Sequence, residues 1–250
     1  NPTDFLSPEP KDPLTTFDAR LGANLVKLHV PWEAKGWNFY AIGLLDNAGA
    51  ANTLGKVGGA ARAELVFGQT ELGLDAVFVD GKRPRYGLDL SSALGPIDVY
   101  GEVGLRSGKD FRPWRLTGAD FNPDDPLSSV EQYTPAGMQA QFATGATFSF
   151  NYTENRSLTL GAEYYNNPLG AGDAVLYPWL IFQNQFNPFY VARHYAALYA
   201  VAFGLPGGLD NVTMTLSNIG SLSDFSFVSR LDTFVRVLSY LNLEFSGAVH

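Results

Sequence analysis

The chain has 250 residues, enough for one large all-β unit or two small domains. Its 25 acidic and 17 basic residues give a formal net charge of -8, which argues against a general nucleic-acid-binding protein, because such proteins need a basic surface. The absence of cysteine excludes disulfides, thiolate metal sites and a cysteine nucleophile.

Segments of alternating polarity recur along the whole chain. Each is roughly ten residues long and bounded by Gly, Pro, Asn or Asp, which is typical of strands joined by turns. In chain order they predict twelve strands, at residues 15–31, 37–46, 56–68, 71–80, 84–94, 97–107, 137–151, 156–166, 190–204, 210–219, 224–235 and 239–249. For the ninth, a short helix over "HYAALYAVAFGL" is the alternative, because alanine-rich sequence favours helix.

The stretch "GMQAQFATGATFSFNYTENRSLTLGAEYYNN" (137–167) shows the alternation most clearly. Met138, Phe142 and Phe148 fall on one parity, and the other parity carries Gln, Thr, Ser and Asn. The pattern resumes after the turn "YTEN". Successive side chains of a strand point to opposite faces, so this stretch predicts a hairpin with one apolar and one polar face.

The connections between the predicted strands also alternate. Short turns follow every second strand, and the connections between them are mostly longer, up to 109–136 and 167–189. Short turns at one end and long loops at the other are typical of outer-membrane β-barrels. A soluble β-sandwich is the alternative, but lysine is nearly absent from these strands. We therefore predict an all-β fold, an antiparallel transmembrane β-barrel of about twelve strands that forms one unit over 1–250.

A resemblance supports this fold. The N-terminal segment "NPTDFLSPEPKDPL" (1–14) resembles a segment of large bacterial outer-membrane barrels of the porin and alginate-export-like type, in which a similar Asn-Pro-Thr-Asp stretch forms an outer loop. The resemblance implies a barrel that conducts polar solutes across the outer membrane. With the short turns in the periplasm, both ends of the chain would lie outside the cell, so we expect it to be a segment of a longer barrel.

Charged residues of the polar parity are the predicted pore lining, because ionisable side chains inside a membrane protein must face a wet cavity or pair with each other. The candidates are Arg20, Arg62, Glu64, Glu71, Asp75, Arg85, Asp89, Asp98, Glu102, Arg106, Glu163, Arg230, Asp232 and Glu244. Carboxylates outnumber arginines among them, which favours cation passage. The alternative is that these residues form ion pairs between neighbouring strands and select nothing.

The segment "LYPWLIFQNQFNPFY" (176–190) is too apolar for a loop that stands in water. It could fold into the lumen as a constriction, pack on the rim or contact a partner. The constriction candidates are Tyr177, Trp179, Phe182 and Phe186. An aromatic-lined path would suit sugars or aromatic solutes. The alternative is rim packing with anchoring at the membrane interface by Trp179, Tyr177 and Tyr190.

Enzymatic chemistry finds little support in the sequence. His29, His194 and His250 lie far apart and lack metal-ligand spacing, and no Gly-x-Ser-x-Gly motif occurs. We assign His194 to the polar parity, which leaves a Ser–His hydrolase inside the barrel as a third hypothesis. We predict no enzyme, no catalytic residue, no metal and no cofactor.

The sequence thus predicts an outer-membrane channel for passive diffusion of small polar or charged solutes. The alternative is a plugged barrel that serves as a scaffold or anchor of an envelope protein assembly. Expected partners are the lipid bilayer with its lipopolysaccharide, small polar solutes and, for a scaffold, envelope proteins, with no nucleic acid. The expected location is the bacterial outer membrane.

Overall fold

Fourteen strands dominate the computed structural model, which describes residue 3 and residues 24–45, 58–79, 81–118, 121–122, 124–187 and 189–249. The strands are β1 (Asn24–Trp32), β2 (Trp37–Leu45), β3 (Gly58–Phe67), β4 (Thr70–Phe78), β5 (Arg85–Leu94), β6 (Ile97–Ser107), β7 (Trp114–Leu116), β8 (Val130–Gln132), β9 (Met138–Thr153), β10 (Arg156–Asn166), β11 (His194–Leu205), β12 (Leu209–Ser221), β13 (Phe227–Leu238) and β14 (Leu241–Val249). The described elements also include two short α-helices, α1 (Pro126–Ser129) and α2 (Tyr177–Phe182), and three 3-10 helices at Glu33–Lys35, Gly108–Asp110 and Ala174–Leu176. No described helix has the length and apolar composition to cross a membrane.

Twelve of these strands form one antiparallel sheet in the order β1-β2-β3-β4-β5-β6-β9-β10-β11-β12-β13-β14, and β7 pairs with β8 separately. This arrangement confirms the all-β prediction and the twelve predicted strands, although residues 15–23, 46, 56–57 and 80 of the predicted strands lie outside the described residues. The helix considered for the alanine-rich segment is wrong, because β11 pairs in register with strands on both sides. In the described part of the chain β1 and β14 do not pair, so the sheet is open.

The connections separate into two kinds, as the sequence predicts. β3–β4 and β5–β6 are joined by two-residue turns in which Gly68 and Gly95 take positive φ angles of 64° and 67°. Glycine adopts this conformation without a steric penalty. At the opposite end of the sheet, residues 108–137 carry the β7–β8 hairpin and α1, and residues 167–193 carry α2.

The pairing register gives the sheet two different faces. Arg62 lies beside Asp75, and Asp89 lies beside Glu102, on the face that we call the polar face. The opposite, apolar face carries a row of aligned residues that crosses six strands, namely Ile97, Phe148, Leu160, Ala200, Leu216 and Leu231. Because side chains alternate along a strand, a slip of one residue would exchange the two faces, and this pattern fixes the register.

The hydrophobic core does not lie against the apolar face. A cluster of buried residues instead joins the two long connections to the first residues of β11, and we call it the loop cluster. Its members are Val130, Ala171, Leu176, Trp179, Leu180, Val191, Ala192 and Tyr195. On the apolar face, by contrast, Leu28 is 62% exposed, Leu198 61% and Leu216 55%. The chain therefore leaves its largest apolar surface uncovered.

Candidate functional site

The predicted pore-lining residues in the described part of the chain share one face of the sheet. The register places the candidates of β3 to β6, β10, β13 and β14 on the polar face, and Arg20 lies outside the described residues. Tyr40, which sequence analysis did not select, lies beside Arg62 on the same face. The position of this tyrosine on the polar parity of β2 is the sequence signal that could have identified it.

One arginine gathers the densest group of charges on this face. The Arg62 guanidinium contacts Asp75 Oδ2 at 2.7 Å, Asp89 Oδ2 at 2.7 Å and Glu64 Oε1 at 2.9 Å. The Tyr40 hydroxyl donates to the other Glu64 oxygen at 2.9 Å. This Arg62 cluster thus links β2, β3, β4 and β5 through side chains, in addition to the backbone hydrogen bonds.

The backbone makes room for this cluster at a glycine. Asp89 lies beside Gly73 in the register, and a Cβ atom at Gly73 would collide with the Asp89 carboxylate. The carboxylate therefore lies flat over the neighbouring strand and reaches Arg62. With three carboxylates and one guanidinium, the cluster carries two net negative charges when all four groups are ionised. Ion pairs between strands are therefore present in a cluster with net negative charge, and the effect of this charge on ion selectivity stays a prediction.

Other charged groups of the polar face make smaller contacts. Arg230 contacts Asp232 at 2.8 Å along β13. Glu163 accepts a hydrogen bond from the Tyr100 hydroxyl. Glu102 accepts one from the Thr3 hydroxyl at 3.2 Å, so residue 3 lies against the polar face near the middle of β6.

The described residues of the apolar segment 176–190 pack over one end of the polar face. Trp179 is only 6% exposed and belongs to the loop cluster together with Tyr195. Tyr195 opens β11 on the polar face, where it lies beside Tyr165. Trp179 also packs edge-on against Trp114 of the other long connection, with ring centroids 5.2 Å apart. Anchoring of Trp179 at a membrane interface is therefore wrong, because its ring is buried.

The four constriction candidates occupy different environments. Trp179 is buried, and Tyr177 and Phe186 pack against the loop cluster with ring centroids 5.4 Å apart. Phe182, at the end of α2, is 79% exposed. Trp179 thus holds the segment in place, whereas Phe182 contacts the Trp179 ring, with ring centroids 5.7 Å apart, and leaves most of its own surface exposed. A narrowing of the lumen by these residues stays a prediction.

A hydrogen bond joins α2 to the connection between β12 and β13. The Tyr177 hydroxyl donates to Asp224 Oδ2 at 2.6 Å, and the Ser226 hydroxyl donates to Asp224 Oδ1 at 2.6 Å. Burial alone would raise the pKa of Asp224, but the hydrogen bonds from Ser226 and Tyr177 outweigh it and lower the pKa. Burial, followed by the bond to Asp224, raises the pKa of Tyr177.

We expect this contact to persist from about pH 5 to about pH 9 and to weaken in acid. The depressed pKa of Asp224 means that its contribution to stability is present above the ordinary value of 3.8 and is lost as the pH falls through the lower folded-state value. For Tyr177, whose pKa is raised, the contribution is present below 10.0 and is lost only at higher pH. Hydrogen exchange of residues 176–190, measured from acid pH to about pH 9, tests whether the contact weakens in acid. Tyr177→Phe should abolish the acid response, and opening near neutral pH would contradict the expectation.

His194 lies on the wrong face for the hydrolase hypothesis. Its register partner is Asn166, and its Nδ1 is 2.7 Å from the Tyr164 hydroxyl on the apolar side of the sheet. The assignment of His194 to the polar parity is therefore wrong. The cause is that β11 carries Tyr195 and Phe203 on its polar face, so its two parities are hard to tell apart in the sequence. His250 lies outside the described residues.

Comparisons with protein-family models, with curated proteins and with solved structures found no match to this chain. Within the described ranges, no group of three or more His, Asp and Glu side chains is arranged to hold a metal ion. The site consequently has to be interpreted from its own geometry: a charged polar face, a loop that packs over one end of it and an uncovered apolar face behind it.

Proposed function

We propose that this chain forms a transmembrane β-barrel, or a large part of one, in the bacterial outer membrane and acts as a passive channel for small polar or charged solutes. The observation that carries the proposal is the apolar face, which remains exposed across the sheet while the opposite face carries the charges. In a barrel, lipid covers the first face and water fills the space inside the second.

The size of the apolar face argues for lipid rather than for a protein partner. Twelve strands about 4.8 Å apart, each contributing an apolar band about 25 Å high, present an area on the order of 1,000 Å². Soluble monomers rarely expose contiguous apolar patches larger than a few hundred Å². Lipid contact also explains why the large side chains of this face are exposed, since no core forms beneath them.

Aromatic residues mark both borders of the apolar face. At the short-turn end Trp37 packs against Trp32 and Phe67, with ring centroids 5.6 and 5.7 Å away, and donates its ring N–H to Val66 O at 3.2 Å. At the other end Phe78 packs edge-on against Tyr86. Girdles of aromatic residues at the two interfaces are a feature of outer-membrane barrels.

The distance between aromatic residues near the two ends of a strand fits the thickness of a bilayer. Phe142 and Tyr152 lie on the apolar parity of β9, ten residues apart, which is about 34 Å at about 3.4 Å per residue. A strand tilt of about 40° reduces this to about 26 Å, close to the roughly 25 Å apolar band of outer-membrane barrels.

A membrane barrel also requires the free strand edges to be paired. Every residue of β1 and β14 is exposed, and among the described strands each of the two pairs with a neighbour on one side only. Unpaired N–H and C=O groups cost several kcal/mol each in lipid. The proposal therefore requires β1 and β14 to pair with each other or with further strands once the protein is inserted.

Lipid contact is testable with the four tryptophans of the chain. Trp32 and Trp37 border the apolar face, whereas Trp114 and Trp179 pack together in the long connections. We expect lipids brominated in their acyl chains to quench a Trp114→Phe/Trp179→Phe variant strongly, because its remaining tryptophans touch lipid. The converse variant, Trp32→Phe/Trp37→Phe, is the matched control and should be quenched weakly. Equal quenching of the two variants would contradict the proposed orientation.

Channel activity is tested by planar-bilayer conductance of the full-length refolded protein in a salt gradient. We expect discrete conductance steps with a reversal potential biased toward cations, because carboxylates outnumber arginines on the polar face. Folding is checked independently by the heat-dependent mobility shift that folded barrels show in detergent gels. A folded protein that passes no current would refute the channel.

The second candidate function is a plugged barrel that anchors an envelope assembly. The packing of both long connections over the polar face and the contact between Thr3 and Glu102 favour it, because each places chain inside the space that a channel would leave open. Folded protein without conductance, together with co-purification of an envelope protein that requires the long connections, is the result that would support this candidate.

A further inference from the structure

A cavity of about 160 Å³ lies between the polar face and the end of the second long connection. Strands β6, β9, β10, β11 and β12 form one wall, and Phe189 and Tyr190 form the other. Its volume equals that of about five water molecules, at about 30 Å³ each. The cavity is therefore large enough for a small organic group.

Five of the twelve lining residues are tyrosines, and contacts within the fold hold several of them in place. Tyr165 packs against Tyr190 and Tyr195 with ring centroids 6.3 and 6.1 Å away. The buried Tyr195 hydroxyl accepts a hydrogen bond from the Ala192 N–H at 2.7 Å. The Tyr100 ring lies over Gly145, where any Cβ atom would collide with it.

The buried Asn167 fixes the loop side of the cavity. Its Nδ2 donates to the Tyr190 carbonyl at 2.8 Å, and its Oδ1 accepts from Gln141 Nε2 of β9 at 2.9 Å. These bonds connect the sheet to the backbone of Tyr190. Binding sites are usually formed before the ligand arrives, and this cavity meets that condition.

The charge of the cavity lining indicates which class of ligand the cavity binds. Among the described residues that line the cavity, Glu163 is the only charged one. Arg106 interacts electrostatically with Tyr165 but is not itself part of the lining. Tyr100 donates to Glu163 Oε1, and the Glu163 side chain is exposed, so its carboxylate is accessible to a ligand. Aromatic faces around a carboxylate attract organic cations through cation–π contacts and a direct charge pair. An anion would be repelled by Glu163.

A neutral sugar fits the lining less well. Sugar recognition needs several converging hydrogen-bonding groups that are free to bind the ligand. The hydroxyls of Tyr100 and Tyr195 are already engaged with Glu163 and Ala192. The features that distinguish this cavity are therefore its aromatic side chains and one carboxylate.

We infer that this cavity is a binding subsite for a small organic cation with an ammonium group, which reaches it from the aqueous side of the polar face. The inference deepens the proposed function, since it names the class of solute that pauses at this point of the channel. Binding is measurable without conduction, so the two proposals can fail separately.

The test is calorimetric titration of the folded full-length protein in detergent with choline and with 3,3-dimethylbutanol, its uncharged isostere. We expect choline to bind, and the isostere to bind at least about tenfold more weakly. Glu163→Gln should weaken choline binding at least about tenfold, which corresponds to about 1.4 kcal/mol. Tyr190→Leu should weaken it as well, by removing a ring face. Glu154→Gln, the same charge change in the turn of the same hairpin, is the matched control and should leave the affinity unchanged.

Three results would overturn the subsite: no choline binding by correctly folded protein, equal binding of the two isosteres, or unchanged affinity in Glu163→Gln. Choline binding by folded protein that passes no current would keep the subsite and remove the channel. Cation-biased current in protein that does not bind choline would keep the channel and remove the subsite.

Discussion

Replacing Arg62 by alanine is expected to destabilise the protein more than any other single change on the polar face. The substitution leaves Glu64, Asp75 and Asp89 facing one another without the guanidinium that they share. We expect the free energy of unfolding to fall by about 2 kcal/mol, less than the roughly 3–5 kcal/mol for a fully buried pair, because the Arg62 side chain is 28% exposed. Urea unfolding of protein inserted in lipid vesicles measures the change.

Arg156→Ala is the matched control for this substitution. Arg156 pairs with Asp210, whose side chain is 53% exposed and regains water when its partner is removed. The expected loss is below about 1 kcal/mol. Adding Asp89→Asn to Arg62→Ala should recover part of the lost stability, because it removes one of the uncompensated charges. An Arg62→Ala variant as stable as Arg156→Ala would show that the cluster contributes little to folding.

The same variant separates pairing from selectivity. Loss of Arg62 makes the cluster more negative, so the preference for cations in a salt gradient should rise even as stability falls. A stability loss without any change in reversal potential would mean that the cluster joins strands and does not face the conducting path.

Strand positions were predictable because two independent signals, the alternation of polarity and the position of turn residues, agree along most of the chain. In β9 and β10 the alternation from Met138 to Tyr164 defines both faces, and the turn at 154–155 fixes where the chain reverses. β11 shows the limit of this approach. Its alanines favour helix, and its polar face carries Tyr195 because the loop cluster packs on it there. Pairing with β10 and β12 outweighs the helix propensity of the alanines.

The candidate site was predictable only as a set of residues on one face. Two of the three partners of Arg62 come from β4 and β5, and no local pattern connects Arg62 with Asp89, which lies 27 positions further along the chain. Asn167 could not be selected either, since its role depends on Gln141 and Tyr190, which approach it only in the folded chain. Such contacts follow from register and loop packing, which periodicity does not encode.

Replacing Trp179 by alanine is expected to release the second long connection and, in the proposed channel, to increase the conductance. Trp179 lies in the loop cluster between Trp114 and Tyr195, and truncation of a buried tryptophan costs about 3–5 kcal/mol. The loss should be local, because the sheet is held by its own backbone ladder and loops can open while the rest of a protein stays folded. Residues 167–193 should become sensitive to protease while the gel mobility of the folded sheet is unchanged.

Phe182→Ala provides the control from the same helix. Phe182 contacts the Trp179 ring but is 79% exposed, so its truncation removes little buried surface from the loop cluster, and protease resistance of residues 167–193 should be retained. Comparison of the two variants distinguishes the roles left open by the sequence. Higher conductance in Trp179→Ala than in Phe182→Ala means that the folded connection narrows the path. Protease-sensitive Trp179→Ala protein with unchanged conductance would mean that the connection packs at the rim, outside the path of the solute.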